Sequence, residues 1–314
     1  MQHTLQKEIE IVGIGLHSGR DVTLRICPAQ ADSGIVFVRT DVKNCDNLIP
    51  ARWDRVVDTQ LCTVIANEAG VRVGTIEHLM SALRGAGIDN ARIEVNAPEL
   101  PVLDGSAQPF IEAIDEVGLE KQDAPRRAIK VLKPVSVERD GKIVKLRPAM
   151  ASIFAGELQY DDDHIGTQGY QVSLVNGFYR HDIAAARTFC YRHEVEYMRS
   201  QGLALGGSLD NAVVVDKEEG VLNEEGLRFE DEFIRHKILD AIGDLYLAGA
   251  PILGVYEGVK IGHAMNNAIL RELFSDPENW EYVELLVDLN EEDAVYEPAC
   301  YAHAKEKSDV VGRS

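Results

Sequence analysis

The sequence predicts an α+β protein whose two halves each combine short strands with a few helices. Three observations carry that expectation. Apolar residues alternate with polar ones over short runs, as at Val22, Leu24 and Ile26 around Thr23 and Arg25, which is the period of a half-buried strand. Other stretches repeat every three to four residues, as at Ile76, Leu79, Met80 and Leu83, the period of a helix with one buried face. Midway the pattern breaks at Glu120-Lys121-Gln122-Asp123-Ala124-Pro125, a polar run ending in proline. The domain boundary is placed there, dividing 1–122 from 123–288.

The elements follow in order. Gly13, Gly15, Ser18 and Gly19 punctuate a tight turn containing His17, and a strand follows through Val22 to Ile26. Residues 61–65 and 71–73 flank Asn67-Glu68-Ala69-Gly70 as a hairpin. Thr75 opens the first helix and Gly85 and Gly87 close it. A strand over 91–95 precedes a second helix marked by Phe110, Ile111, Ile114 and Val117. In the second half, strands 131–137 and 143–146 surround Asp140-Gly141, a good hairpin turn. Helices are expected over 192–201 and 230–247 with a strand at 212–215 between them, then a strand over 252–259 and a helix over 263–274. The acidic, weakly periodic tail 289–314 is expected to be partly disordered.

Charge narrows the function. The 314 residues carry 32 Lys plus Arg against 52 Asp plus Glu, a net charge of −20. A general nucleic-acid binder needs an excess of cations to displace counterions, so nucleic acid is excluded as a partner. Cys27, Cys45, Cys62, Cys190 and Cys300 are odd in number and show no CxxC spacing, which argues against a disulfide framework or a four-thiolate zinc site. No apolar run follows a basic start at the N-terminus, and no uncharged stretch approaches the roughly 20 residues that span a bilayer. The expectation is a monomeric cytoplasmic protein without stable membrane insertion.

Among nine histidines, three sit in suggestive surroundings. His236 and Asp240 are four apart, hence on one face of a helix, with Asp244 a further turn on. Such a pair could share a metal ion given a third ligand, or could be an ordinary surface pair. Glu77 directly precedes His78. Adjacent helical residues diverge by about 100°, so the two could divide the work between metal and water, or Glu77 could simply favour the positive end of the helix dipole. His263 lies at a strand-to-helix junction, suited to proton transfer or to a structural role. The hydroxyl of Thr188 could donate to an oxyanion. Gly206-Gly207-Ser208 could approach a phosphate or be a bare turn.

Taken together, the blocks form an ordered set. They are Gly15-Leu16-His17-Ser18-Gly19, Thr75-Ile76-Glu77-His78-Leu79, Asp104-Gly105-Ser106, Ala186-Arg187-Thr188-Phe189, Leu205-Gly206-Gly207-Ser208, Arg228-Phe229-Glu230-Asp231-Glu232-Phe233, the run from Arg235 to Asp244, and Gly262-His263-Ala264-Met265-Asn266-Asn267. The set resembles the zinc-dependent UDP-3-O-acyl-N-acetylglucosamine deacetylases of lipid A biosynthesis, from about Gln6 to Phe274.

The resemblance implies a fold of two similar domains, each a small β-sheet layer packed against two helices, with the active site in the cleft between them. It implies one Zn2+ held by His78, His236 and Asp240, with Glu77 as general base. His263, oriented by Asp244, would be the cationic proton donor to the leaving amine. Thr188 would serve the oxyanion and Lys237 would add positive charge. An inserted strand–helix–strand segment at about 190–215 would form an apolar passage for the acyl chain, carrying Tyr191, Val195 and Met198, with Phe189 just before it as a further substrate contact. Tyr191, Val195 and Met198 are expected on one helical face. The substrate implied is a UDP-linked acylated amino sugar, whose phosphates the overall charge of −20 should oppose. The stretch Tyr160-Asp161-Asp162-Asp163-His164-Ile165-Gly166 departs from the family pattern, being more acidic and lacking a proline after His164, which receives no role. The rival readings are a zinc hydrolase of another amino-sugar amide, and a non-catalytic protein that binds acyl chains or nucleotide sugars on the same scaffold.

Overall fold

The computed structural model describes residues 1–174 and 177–285; the expected tail, 289–314, lies outside them. The architecture is α+β. A five-stranded sheet orders its strands as Ile9–Ile14, Asp21–Pro28, Ala91–Val95, Ile35–Arg39 and Leu48–Pro50. The alternation at Val22, Leu24 and Ile26 is that of a strand with one buried face, since all three are fully buried. The chain after Lys121 builds a seven-stranded sheet. Its central strand, Ile252–Val259, runs parallel to Ser152–Gln159 and to Arg127–Val131 and antiparallel to Lys142–Arg147. Small two- and three-stranded sheets complete the set.

Six helices are described: α1 (Glu77–Ala86), α2 (Gln108–Val117), α3 (Phe178–Asp182), α4 (Arg192–Ser200), α5 (Glu232–Tyr246) and α6 (His263–Ser275). None is long and apolar enough to cross a membrane. Among the long helices, α1 packs on α2 and α5, and α5 packs on α6. The α1–α5 approach is unusually close. A Cβ at Gly243 would stand 2.0 Å from the backbone oxygen of Glu77 and 3.0 Å from the amide of Ser81, so glycine is required there. We expect Gly243→Ala to cost about 1–3 kcal/mol, as overpacking does, and to depress turnover, because the helices must separate just where Glu77 and His78 begin α1. Thermal melting and steady-state rates check both.

Local expectations required four corrections. The first helix begins at Glu77, not Thr75. Thr75 takes a left-handed φ of 55°, with its hydroxyl donating to buried Glu99. The strand expected over 131–137 is two strands, Arg127–Val131 and Val135–Arg139, broken at Pro134, which lacks the amide that continues a ladder. Asp140 and Gly141 both have positive φ, as the tight hairpin demands. Residues 61–63 lie outside the small hairpin, whose strands are Val64–Ala66 and Arg72–Val73. Finally, Ser152–Gln159 and Thr167–Ser173 form an antiparallel pair that the apolar pattern did not announce. Glycine interrupts each strand, and a Cβ at Gly156 would stand 2.9 Å from Ile261 Cδ1 and 3.1 Å from Ile234 Cδ1, where α5 presses onto the sheet.

Candidate active site

The starts of two helices and the middle of a third converge. His78 comes from the first turn of α1, His236 and Asp240 from the middle of α5, and His263 from the start of α6. His236 and Asp240 are each 1% exposed, which removes the reading of a surface i,i+4 pair. The Asp240 Oδ1 atom stands 3.3 Å from His236 Nε2 and 3.7 Å from His78 Nε2. The three residues offer ligand atoms within 4.8 Å of one another.

This group suits a cation in its hydrogen bonding as well as its spacing. His236 Nδ1 lies 3.0 Å from the carbonyl oxygen of Ala186. A carbonyl can only accept, so Nδ1 carries the proton and Nε2 turns its lone pair to the centre. Burial holds both His78 and His236 below the ordinary imidazole range, His236 at about 3, so both are in the neutral form that ligates metal. Lys237 donates to Asp240 Oδ2 at 2.9 Å, whereas the buried Oδ1 has no hydrogen-bond partner. An orphaned buried carboxylate oxygen is costly unless something else meets it, and a metal ion would.

Beside the group stand two proton carriers. Glu77 is buried, and its Oε2 accepts the amide of Thr63 at 3.0 Å. Burial raises its carboxyl to about 7; the neighbouring His263 offsets part of that rise. His263 Nδ1 donates to Asp244 Oδ2 at 2.8 Å, and its Nε2 faces Glu77 Oε1 at 3.9 Å. Burial alone would depress His263, but Asp244 and Glu77 outweigh it and lift the imidazole to about 9. Asp244 also accepts from Asn266 Nδ2 at 2.8 Å and from the Thr63 hydroxyl at 2.5 Å. Glu77 and His263 thus hold opposite protonation states between about 7 and 9.

A cavity of about 970 Å³ lies alongside, lined by Thr188, Phe189, Val195, Met198, Leu203 and Leu209 among others. The Phe189 ring centre is 6.3 Å from that of His236, and Lys237 Nζ is 5.5 Å from the Phe189 centre, so the cavity adjoins the histidine cluster. Phe189–Tyr191 and Val213–Asp216 pair in parallel, with α4 as the crossover between them. His17, from the first glycine-rich turn, also lines the cavity, and buried Glu99 pins that turn by accepting the amides of His17 and Ser18.

Tyr191 departs from expectation. It precedes α4 in extended conformation, so it does not share a helical face with Val195 and Met198, and its hydroxyl donates to Asp162. Asp162 also accepts the amides of His164 and Ile165, which gives the acidic stretch 160–166 a local organising role.

Several contributors escaped the sequence reading. Thr63 carried no signal, and Asn266 appeared only inside a longer block. Arg187 and Glu232 form a buried pair at 2.9 Å, and Arg187 also donates to Glu225 and to the Gly226 carbonyl. The pair fixes the segment that supplies the Ala186 carbonyl to His236 and the Thr188 side chain to the cavity. The presence of an arginine and a glutamate in two of the conspicuous blocks, at 186–189 and 228–233, was the available clue.

Comparison with known proteins identifies the family. The family profile described as "LpxC: UDP-3-O-acyl N-acetylglycosamine deacetylase" matches residues 2–275. The UDP-3-O-acyl-N-acetylglucosamine deacetylase of Phenylobacterium zucineum is 48% identical over 290 residues, covering 92% of this chain and 99% of that protein. The same-named protein of Anaeromyxobacter sp. is 48% identical over 287 residues, covering 91% and 93%. That of Shewanella frigidimarina is 45% identical over 306 residues, covering 96% and 99%. The chain belongs to the UDP-3-O-acyl N-acetylglycosamine deacetylase (LpxC) family.

Proposed function

We propose that this protein hydrolyses the N-acetyl group of UDP-3-O-acyl-N-acetylglucosamine, releasing acetate and UDP-3-O-acyl-glucosamine, as a step of lipid A biosynthesis. Family membership supports the substrate. The single observation that carries the chemistry is the juxtaposition of a buried two-histidine, one-carboxylate group with Glu77 and His263. His78, His236 and Asp240 would hold the metal, Zn2+. The facing atoms of two of these pairs stand 3.3 and 3.7 Å apart, close enough for one ion to be shared. When bound, zinc polarises the amide carbonyl and makes water nucleophilic at neutral pH.

The chain's own residues supply the rest. Glu77, as carboxylate, accepts the proton of the attacking water. The Thr63 amide keeps its Oε2 in place, leaving Oε1 towards His263. The Thr188 hydroxyl donates to the oxygen on which negative charge develops, and Lys237 adds positive charge. The amine cannot leave until protonated. His263 donates from Nε2, while Asp244 at Nδ1 stabilises the imidazolium. Phe189, Val195 and Met198 receive the acyl chain.

The protonation states set the pH dependence. Glu77 must be deprotonated, so kcat rises with pH through about 7, or lower once zinc draws the carboxyl down. His263 must be protonated, so kcat falls through about 9. A pH–rate profile that is flat across this interval rejects the two roles.

The reading includes a cytoplasmic, monomeric enzyme of two domains, 1–122 and 123–288. The division is supported by the ladders, which among the described residues never join a strand before Lys121 to one after Arg127. Metal analysis paired with acetate release from the UDP-acyl-amino-sugar tests the proposal. We expect about one zinc per chain and activity lost on chelation. A zinc-loaded protein that releases no acetate overturns it in favour of a binding role. Equal turnover of a substrate lacking the acyl chain favours another amino-sugar amide.

A further inference from the structure

We propose that Thr63 is a positioning residue that holds the base and the acid of the site in register, its amide on Glu77 and its hydroxyl on Asp244. This rests on the deacetylase reading above and deepens it. Glu77 belongs to α1, Asp244 to α5 and His263 to α6, so nothing in local helical geometry fixes their mutual placement. Thr63, which is 2% exposed and precedes the strand Val64–Ala66, bonds two of these elements at once. Its amide donates to Glu77 Oε2 at 3.0 Å and its hydroxyl to Asp244 Oδ1 at 2.5 Å.

The hydroxyl decides how Asp244 is turned. On the other oxygen, Oδ2, Asp244 already accepts both His263 Nδ1 and Asn266 Nδ2. Asn266 is itself anchored, its Oδ1 accepting the Tyr256 hydroxyl at 2.5 Å. These contacts anchor one oxygen, and the Thr63 hydroxyl anchors the other. Without it, Oδ1 would be a buried acceptor with no donor, and the carboxylate would rotate to find one. Rotation carries His263 Nδ1 with it and changes the 3.9 Å approach of Nε2 to Glu77. Thr63 touches no reacting atom; it acts through Asp244 and Glu77.

The test compares Thr63→Val, which keeps the shape and the amide but loses the hydroxyl, with Thr63→Ser, which keeps both donors. On the zinc-loaded enzyme we expect Thr63→Val to lower kcat about tenfold or more at a KM within about twofold, as outer-shell partners do, with zinc content unchanged. Thr63→Ser should stay within about threefold of the parent kcat. The Nδ1 proton resonance of His263 provides a readout that needs no substrate, and it should shift in Thr63→Val but not in Thr63→Ser. Thr63→Ala replaces the valine variant if the latter does not fold. Parent-like kcat and an unmoved resonance in Thr63→Val overturn the proposal, as do equal losses in the valine and serine variants, which would mark side-chain packing as the cause. If the parent enzyme releases no acetate, the deacetylase reading fails by itself. The resonance then decides the positioning role alone: a shift confined to the valine variant supports it, and no shift rejects it.

Discussion

Glu77→Gln is expected to lower kcat by about 10²–10⁴-fold, the range of a lost general base, while zinc content stays at the parent level. Glutamine has nearly the same shape, and its carbonyl oxygen can still accept the Thr63 amide that Glu77 Oε2 accepts. What it cannot do is take a proton. A second consequence follows from the neighbour. Glu77 is, after Asp244, the next contributor that lifts His263 to about 9. Removing its charge should move the basic limb of whatever activity remains to lower pH. A variant that retains kcat within about tenfold removes Glu77 from the role of base. A lost kcat with an unmoved basic limb shows that His263 does not govern that limb.

Asp240→Asn should abolish turnover by a different route, through loss of the metal. Burial opposes the charge on Asp240, but the cationic side chains beside it, Lys237 and His263, hold its carboxyl below the usual carboxylate range. In the native chain its Oδ2 accepts Lys237 and its Oδ1 is free for a cation. Asparagine cancels the charge and leaves the Lys237 ammonium without its carboxylate. Zinc affinity should fall about 10–100-fold or more, and activity at stoichiometric zinc by on the order of 10²-fold or more. Excess zinc should restore part of it. His263→Ala is the control, because His263 stands outside the ligand set: it should lose turnover yet keep zinc. If Asp240→Asn retains full zinc occupancy after dialysis, the assigned ligand set is wrong. Identical zinc contents in the two variants would reject that ligand set as well.

Much of the site was legible because its pieces are local. His236 and Asp240 share a face through i,i+4 spacing alone, and the Asp140-Gly141 turn follows from two residues that accept positive φ. The face of α2 could be read from its apolar repeat, since that helix buries one side, whereas α1 shows the same repeat but is buried nearly all round. Strand limits were harder. The expected strand 131–137 ran across a break because apolar residues continue at Leu132 and Val135, whereas the Leu132 amide turns to the Asn279 carbonyl and Pro134 has no amide to offer. Tyr191 was placed by helical spacing that does not hold, because the residue stands just outside the helix and turns to Asp162.

The sequence by itself determined the chemical inventory: which residues can ligate, which can carry protons, and which blocks place the chain in its family. These depend on residue type and short spacing, which any chain states openly. Tertiary structure alone decided that the inventory converges. Thr63 and Asp244 are 181 positions apart in the chain yet share a hydrogen bond of 2.5 Å. Gly243 lets α5 press against the backbone of Glu77, so side chains of two helices that can ligate a metal meet around one buried oxygen. No periodicity encodes that meeting, because it arises from how closely two distant segments can pack.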